Sequence, residues 1–280
     1  MSQYEDRLLR VIDYIHRNPA GDLSLDALAD VAAMSRFHWH RVFRAMTGET
    51  CAQAVRRIRL HHAACEIARG DRPVDLIAAG VGYSDRDSFD RAFLAQYGVT
   101  PAAFRGRGAP RPILPPRKAA TLMYPIEIRE TPSRRLIGLP HRGAYFRISE
   151  AFARLGVLMQ TRELYGQVGP MVGLFYDDMS QVPEAELRSF AALVAPDDLP
   201  LPEGLEEVRT PGGDHAILTH RGPYATLSDA YDYLFGTWLP ASGREPADAP
   251  AYEYYHNDPT DTAPADLLTD IGLPLKPETP

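Results

Sequence analysis

Two stretches of the chain repeat one amphipathic pattern about fifty residues apart. Residues 25–43 read LDALADVAAMSRFHWHRVF, and residues 74–93 read VDLIAAGVGYSDRDSFDRAF. The matched pairs are Leu25, Asp26, Leu28 and Ala29 with Val74, Asp75, Ile77 and Ala78, then Arg36, Arg41, Phe43, Gly48 and Thr50 with Arg86, Arg91, Phe93, Gly98 and Thr100. In each stretch apolar residues recur at helical spacing on both sides of a short turn. This pattern predicts two helical hairpins.

The ends of these helices can also be predicted. Ser24 and Ser35 are expected to cap the first pair, because a serine hydroxyl accepts from a free backbone N–H. Gly82 is expected to form the second turn, and Ser84 or Asp85 to cap the next helix. The outward faces are predicted to hold Arg36, Phe37, His40, Arg41 and Arg44 in the first hairpin and Arg86, Asp87, Asp90 and Arg91 in the second. Two hairpins in register favour DNA binding over an ordinary helical domain.

Residues 82–105 fit the pattern GYxxxxxFxRxFxxxxGxTPxxFR. This pattern resembles the signature of AraC-type (AraC/XylS) transcription regulators, and the resemblance covers roughly residues 4–107. It implies an all-α DNA-binding domain, here residues 1–108, with two helix-turn-helix subdomains joined by one long helix over Ala52–Arg69. The family's base-reading positions fall on Phe37, His40, Arg41, Arg86, Asp87, Asp90 and Arg91, and Arg36 and Arg44 complete the predicted DNA contacts.

The second recognition helix departs from the family because it carries Asp85, Asp87 and Asp90 beside two arginines. A carboxylate is repelled by phosphates and among the bases accepts only from the cytosine amino group. We therefore expect the first helix to do most of the base reading. For Asp85 we favour a structural role at the helix N-terminus, where acidic side chains are stabilised.

Charge is divided unevenly along the chain. Residues 1–118 hold 18 Lys and Arg against 13 Asp and Glu, and residues 119–280 hold 12 against 24, which together give the net charge of −7. The basic half suits DNA and the acidic half does not. Residues 109–121, rich in Pro and Arg, predict a linker before a second domain at 122–280. Two cysteines, Cys51 and Cys65, and the absence of a signal or apolar span predict a cytoplasmic protein without membrane contact.

The acidic half contains its own repeat at an offset of 79, with HRGAYFRISEAFARL at residues 141–155 and HRGPYATLSDAYDYL at 220–234. Each copy follows a strand-like run and precedes a helix-like one. The predicted strands are Arg135–Leu139 and His215–Thr219, with further strands at 123–130, 171–176, 188–194, 205–209 and 251–256. We predict an α+β domain of two related halves, which form one antiparallel sheet with a cleft between two helices.

The segment APAYEYYHNDP, residues 249–259, places a carboxylate among aromatic residues. In a strand Glu253 shares a face with Tyr255, whereas Tyr252, Tyr254 and His256 share the other. If the face of Glu253 lines the cleft, it would attract an organic cation by charge and by cation–π contact. A solvated glutamate on an edge strand is the alternative, and the pattern leaves both open.

The acidic half resembles GyrI-like small-molecule-binding domains over roughly residues 122–276. The resemblance includes both HRGxY turns, GLFYDD at 173–178, EYYHNDP at 253–259 and ADLLTDIGLPL at 265–275. It implies that Glu253 lies in a cleft for lipophilic, often cationic ligands, with Trp238, Tyr145, Tyr224 and Tyr255 as walls. The whole chain is expected to be a one-component regulator, an activator that binds promoter DNA and an effector and works with RNA polymerase, as a monomer.

Two other functions stay open. Some GyrI-like domains resemble hydrolases of reactive drug-like rings, and Glu253 with Tyr145 or Tyr255 could act in that way. The acidic half could instead sequester a protein partner. We expect no enzyme, cofactor or metal, because the sequence lacks a nucleophile elbow, a phosphate loop and metal-ligand spacing. His141 and His220 of the HRGxY turns are more simply explained as a structural duplication than as catalytic bases.

Overall fold

A computed structural model of the protein describes residues 3–105, 123–177, 182–259 and 261–278. The chain divides into two units, Met1–Ala119 and Ala120–Pro280. The predicted linker, residues 109–121, lies outside the described residues. The boundaries 1–108 and 122–280 therefore stay predictions.

The described part of the first unit is helical. Its helices are α1 (Gln3–Arg17), α2 (Leu25–Ala32), α3 (Trp39–Thr47), α4 (Cys51–Arg69), α5 (Val74–Gly80), α6 (Arg86–Tyr97) and α7 (Pro101–Phe104). The long helix α4 belongs to two cores. Its first half, with Ile58, packs with α1–α3, and its second half, with Leu60, packs with α5–α7. The predicted arrangement of two helix-turn-helix subdomains on one connecting helix is confirmed.

Most of the predicted helix caps are present. The Ser24 hydroxyl accepts from the Ala27 N–H at 3.3 Å, and Asp85 accepts from the first turn of α6. Gly82 has a φ of +85°, which favours glycine at the turn between α5 and α6. Thr50 and Gln53 form a reciprocal capping box at the start of α4. These local hydrogen bonds set where α2, α4 and the second recognition helix, α6, begin.

The start predicted for the first recognition helix is wrong. Helix α3 begins at Trp39, whereas Ser35 was expected to cap it directly. The Ser35 carbonyl accepts from the N–H groups of both His38 and Trp39, and its hydroxyl accepts from Phe37 at 3.3 Å. A tight turn over residues 36–38 therefore replaces the first helical turn.

The second unit is built on one eight-stranded antiparallel sheet. Its strands are β1 (Ile126–Thr131), β2 (Arg134–Arg142), β3 (Met171–Phe175), β4 (Arg188–Ala195), β5 (Glu206–Thr210), β6 (Gly213–Arg221), β7 (Tyr252–Tyr255) and β8 (Leu268–Pro274). The spatial order is β1-β6-β8-β7-β3-β4-β2-β5. All seven predicted strands are present, within three residues at each end. The predicted α+β class and single antiparallel sheet are confirmed.

Strand β8 was not predicted from periodicity. Asp270 lies near its middle, and aspartate is depleted in strands because a buried carboxylate needs partners. Here the Thr219 hydroxyl donates to Asp270 at 2.7 Å, and the His256 Nε2 lies 2.8 Å from its other oxygen. The partners come from β6 and from the end of β7, so the pattern within 268–274 could not reveal them.

The helices of the second unit pack on one face of the sheet. Helix α8 (Ile148–Thr161) lies against β2 and β4. Helix α9 (Leu227–Tyr233) lies against β6 and continues through a π-helical turn, Leu234–Trp238, into α10 (Leu239–Ser242). Since the two helices cover opposite halves, the central strands β7 and β3 lie between them.

The two HRGxY segments form equivalent turns before these helices. Gly143 and Gly222 have φ values of +125° and +141°, a region that favours glycine. Their N–H groups donate to the carbonyls of Leu187 and Leu267 at 2.8 and 2.9 Å. The matched hydrogen bonds support the interpretation of the repeat as a structural duplication.

Candidate functional site

The first recognition region presents three arginines and a phenylalanine. Arg36 and Phe37 lie in the turn before α3, and the Arg36 guanidinium carbon stacks 5.2 Å from the centre of the Phe37 ring. Arg36 and Arg44 are exposed, whereas Arg41 and Phe37 are half-buried. Arg36 and Arg44 therefore reach solvent, whereas one guanidinium nitrogen of Arg41 is buried.

His40 does not share that orientation. It is 6% exposed, so its predicted place on the outward face is wrong. Because α3 begins at Trp39, His40 lies in the first helical turn, three residues before the buried Phe43 and beside the apolar stripe. The histidine therefore belongs to the packed side of the hairpin.

One arginine of the second recognition helix is paired with carboxylates. Arg86 donates from Nε to Asp90 at 2.8 Å and from Nη1 to Asp75 on α5. The hydrogen bond with Asp90 is the main cause that raises the pKa of Arg86. Asp87 and Arg91 are exposed, and within the described residues Arg91 forms no ion pair. Helix α6 thus offers DNA one uncompensated arginine.

Glu253 lies near the middle of the second sheet, on the face that the helices cover. It pairs in register with Gly173 of β3 and Ile271 of β8. The residue is 6% exposed. Its two carboxylate oxygens accept from the hydroxyl of Tyr231 on α9 at 3.1 Å and from that of Tyr255 at 2.9 Å. Glu253 is therefore a buried acid, and the alternative of a solvated edge-strand glutamate is wrong.

Aromatic rings from both halves surround this acid. Tyr255 contacts Tyr224 edge-on, with ring centres 5.5 Å apart, and Phe152 of α8 at 5.7 Å. Tyr145 contacts Phe175 of β3 at 5.0 Å. We call Tyr145, Phe152, Phe175, Tyr224, Tyr231 and Tyr255 the aromatic cluster. It connects α8, α9 and the central strands over the same face of the sheet.

The aromatic cluster only partly matches the predicted walls. It includes Tyr145, Tyr224 and Tyr255, but no hydrogen bond or ring contact joins Trp238 to it among the described residues. Phe152, Phe175 and Tyr231 were not predicted as wall residues. The repeat contained a signal for two of them, because its offset of 79 aligns Phe152 with Tyr231.

Burial changes the acidity of the tyrosines near Glu253. Desolvation, reinforced by the charge of Glu253, raises the pKa of Tyr255 well above its ordinary value. Desolvation also raises the pKa of Tyr224, with smaller effects from Asp258 and Glu253. These hydroxyls therefore keep their protons at neutral pH, and that of Tyr255 serves as a donor to the Glu253 carboxylate.

The other side chains of β7 point away from this site, as predicted. The Tyr252 hydroxyl lies 2.9 Å from Nδ1 of His215, and the Arg134 guanidinium carbon lies 5.2 Å from the centre of the Tyr254 ring.

Within the described residues no group of three or more His, Cys, Asp or Glu is arranged to hold a metal ion. No helix in this part of the chain is long and apolar enough to cross a membrane.

Both units match known protein families. Residues 124–276 match the GyrI-like small molecule binding domain. Residues 28–107 match a helix-turn-helix domain. A double helix-turn-helix unit followed by such a domain defines a class of DNA-binding regulators with a ligand-binding domain.

Three curated relatives support this class. The RCS-specific HTH-type transcriptional activator RclR of Escherichia coli (strain K12) is 36% identical over 101 residues, which are 36% of this chain and 36% of RclR. The regulatory protein SoxS of Salmonella typhimurium is 31% identical over 35% of this chain and 91% of SoxS. The transcriptional regulator Rob of the same organism is 23% identical over 91% of this chain and 92% of Rob.

The chain belongs to the AraC-type (AraC/XylS) transcription regulators and carries a GyrI-like small-molecule-binding domain. The chain spans little more than a third of the length of RclR.

Proposed function

We propose that the chain is a one-component regulator that activates transcription in response to a lipophilic cation. The first unit binds double-stranded promoter DNA, and the second binds the cation. The protein acts in the cytoplasm as a monomer, works with RNA polymerase, and needs no cofactor. The name of RclR, a transcriptional activator, supports activation as the direction of the response.

The observation that carries the effector proposal is the buried carboxylate of Glu253 beneath the aromatic cluster. A cation about 4 Å from a carboxylate gains about 1 kcal/mol in water but about 4 kcal/mol at the effective dielectric of a protein site. Aromatic faces add cation–π attraction. Tyr145, Tyr224 and Tyr255, with Trp238, are the proposed walls, and Phe152, Phe175 and Tyr231 join them.

The proposed DNA contacts follow from the exposed and half-exposed side chains of the recognition region. Arg36, Phe37, Arg41 and Arg44 are proposed to read the first groove, and Arg91 with Asp87 to contact the second. Arg86 and Asp90 remain in the proposed set but act mainly on each other. His40 is left out because it is buried.

The test uses two ions of the same shape and opposite charge, tetraphenylphosphonium and tetraphenylborate. Calorimetric titration of the full chain is expected to show binding of the cation and none of the anion. Glu253→Gln keeps the size of the side chain and removes its charge, so the cation should lose roughly 10- to 100-fold in affinity, about 1.4–2.8 kcal/mol. Glu150→Gln, at an exposed glutamate paired with Arg147, is the matched control and should bind like the parent.

Three outcomes would contradict the proposal. Equal affinity in Glu253→Gln and the parent would mean that the carboxylate does not recognise the charge. Chemical conversion of a reactive ring-containing ligand, lost in Glu253→Gln, would favour the hydrolase function instead. Binding of a protein partner that depends on the acidic surface and not on Glu253 would favour sequestration.

A further inference from the structure

The second unit has an internal two-fold relationship that includes the Glu253 site. The strand order is β1-β6-β8-β7-β3-β4-β2-β5. If β1 is exchanged with β5, β2 with β6, β3 with β7 and β4 with β8, the reversed order is the same. The axis of this relationship passes between β3 and β7, where Gly173 faces Glu253 in register. The acid is therefore present in one half only.

The same two-fold relationship pairs the residues of the aromatic cluster. Tyr145 corresponds to Tyr224 and Phe152 to Tyr231 at the offset of 79, and Phe175 corresponds to Tyr255 at an offset of 80. The two hydroxyls that donate to Glu253 thus belong to tyrosines whose counterparts are phenylalanines. Half of the cluster serves a carboxylate, and the other half is apolar at those two positions.

The one pair that is tyrosine in both halves is held differently in each. The Tyr145 hydroxyl donates to the Asp177 carbonyl at 2.8 Å and accepts from the Asp177 N–H at 2.7 Å, so it is fixed to the backbone. The Tyr224 hydroxyl has no hydrogen-bond partner among the described residues. Tyr224 is also 37% exposed, and its ring contact is with Tyr255. The fixed ring and the loosely held ring occupy equivalent positions.

A ligand that contacts Glu253 must displace a side chain, because the acid is 6% exposed. Moving Tyr231 or Tyr255 would remove a hydrogen bond from a buried carboxylate, which is costly. Moving Tyr145 would break two hydrogen bonds.

Phe152 and Phe175 have no hydroxyl, but both are less exposed than Tyr224. Moving Tyr224 breaks no hydrogen bond, and it is the only exposed member of the aromatic cluster. We infer that Tyr224 is the gate to Glu253, an inference that rests on the proposed function. Tyr224 must move before a bulky cation can reach the acid, so it slows the association of large cations more than that of small ones.

The test is the rate of association, followed by stopped-flow fluorescence of the full chain. Tetraphenylphosphonium is the bulky probe, and tetraethylammonium is the small one. Tyr224→Ala should raise the association rate of the bulky cation roughly tenfold, as expected when a conformational step slows binding. The rate of the small cation should change much less. Tyr165→Ala, at an exposed tyrosine outside the aromatic cluster, is the control and should match the parent.

Tyr145→Phe tests the equivalent tyrosine in the other half of the unit, because it keeps the ring and removes its two hydrogen bonds. Faster entry in Tyr145→Phe and parent-like entry in Tyr224→Ala would overturn the assignment of the gate. If the parent binds tetraphenylphosphonium and Tyr224→Ala binds it at the same rate as the parent, Tyr224 is not the gate. The proposed function would then still stand. Failure of the parent to bind either cation at equilibrium would overturn the proposed function and the gate together.

Discussion

Gly138 of β2 lies where the next strand leaves no room for a side chain. A Cβ at this position would lie 2.0 Å from the carbonyl oxygen of Ala191 and 2.7 Å from the Cα of Ala192, both in the backbone of β4. Because β4 cannot move away without weakening its strand pairing, we predict that Gly138→Ala destabilises the second unit by about 3 kcal/mol. Urea unfolding of the full chain, followed by circular dichroism, measures the change.

Gly166 provides a matched control for this substitution. It is exposed, and a Cβ there would meet nothing within 4 Å. Gly166→Ala should change stability by no more than about 0.5 kcal/mol. If both variants unfolded at the same urea concentration as the parent, the close approach at Gly138 would be absorbed by small backbone shifts.

The two recognition elements differ in the carboxylates that lie beside their arginines. Arg41 precedes the middle of α3 and has no carboxylate on its own helix, whereas Arg86 starts α6 between Asp75 and Asp90. We predict that Arg41→Ala weakens binding to a selected operator by about 1–3 kcal/mol and relaxes specificity at one base position. Arg86→Ala, which removes an arginine of the second hairpin that two carboxylates already bind, should weaken binding less. Titration against a library of operator variants measures both effects.

Footprinting gives an independent measure of the same difference. Hydroxyl-radical protection is expected to be stronger over the groove that contacts α3 than over the groove that contacts α6. Equally strong protection in two successive major grooves would contradict the unequal roles. In that case the carboxylates beside Arg86 would have to release it when DNA binds.

On the scale of the whole molecule, charge assigns different partners to the two units. The basic residues of the first half favour phosphates, and the excess of 12 acidic residues in the second half opposes them. DNA affinity should therefore fall as the salt concentration rises, because each arginine that contacts a phosphate releases counterions. The cation site is buried and should depend on salt much less.

If the cation regulates DNA binding, the two ligands must affect each other equally. A cation that raises operator affinity by a given factor requires the operator to raise cation affinity by the same factor, and such factors are typically about 5 to 150. We predict this equality for tetraphenylphosphonium and a selected operator duplex, measured by calorimetry and by fluorescence anisotropy. In Glu253→Gln the factor should fall towards one. An operator affinity that does not change with saturating cation would show that the units act independently.

Much of this architecture could be predicted from the sequence because it depends on local periodicity. Apolar residues at helical spacing located both hairpins, and alternation placed Glu253 and Tyr255 on one face of β7. The errors occurred where a distant partner decided the outcome. Strand β8 tolerates Asp270 because Thr219 and His256 bind it, and the periodicity of α3 did not reveal that His40 is buried in the folded unit.

The sequence by itself determined the two helical hairpins, the glycine turn of the second hairpin, the duplication of the acidic half and the face that Glu253 shares with Tyr255. Each of these features depends on residues close together in the chain. Only the tertiary structure decided that Asp75 binds Arg86, that Tyr231 donates to Glu253, and that Tyr145 is fixed while Tyr224 is not. These features depend on strand order and helix packing, which join residues from different elements of the chain.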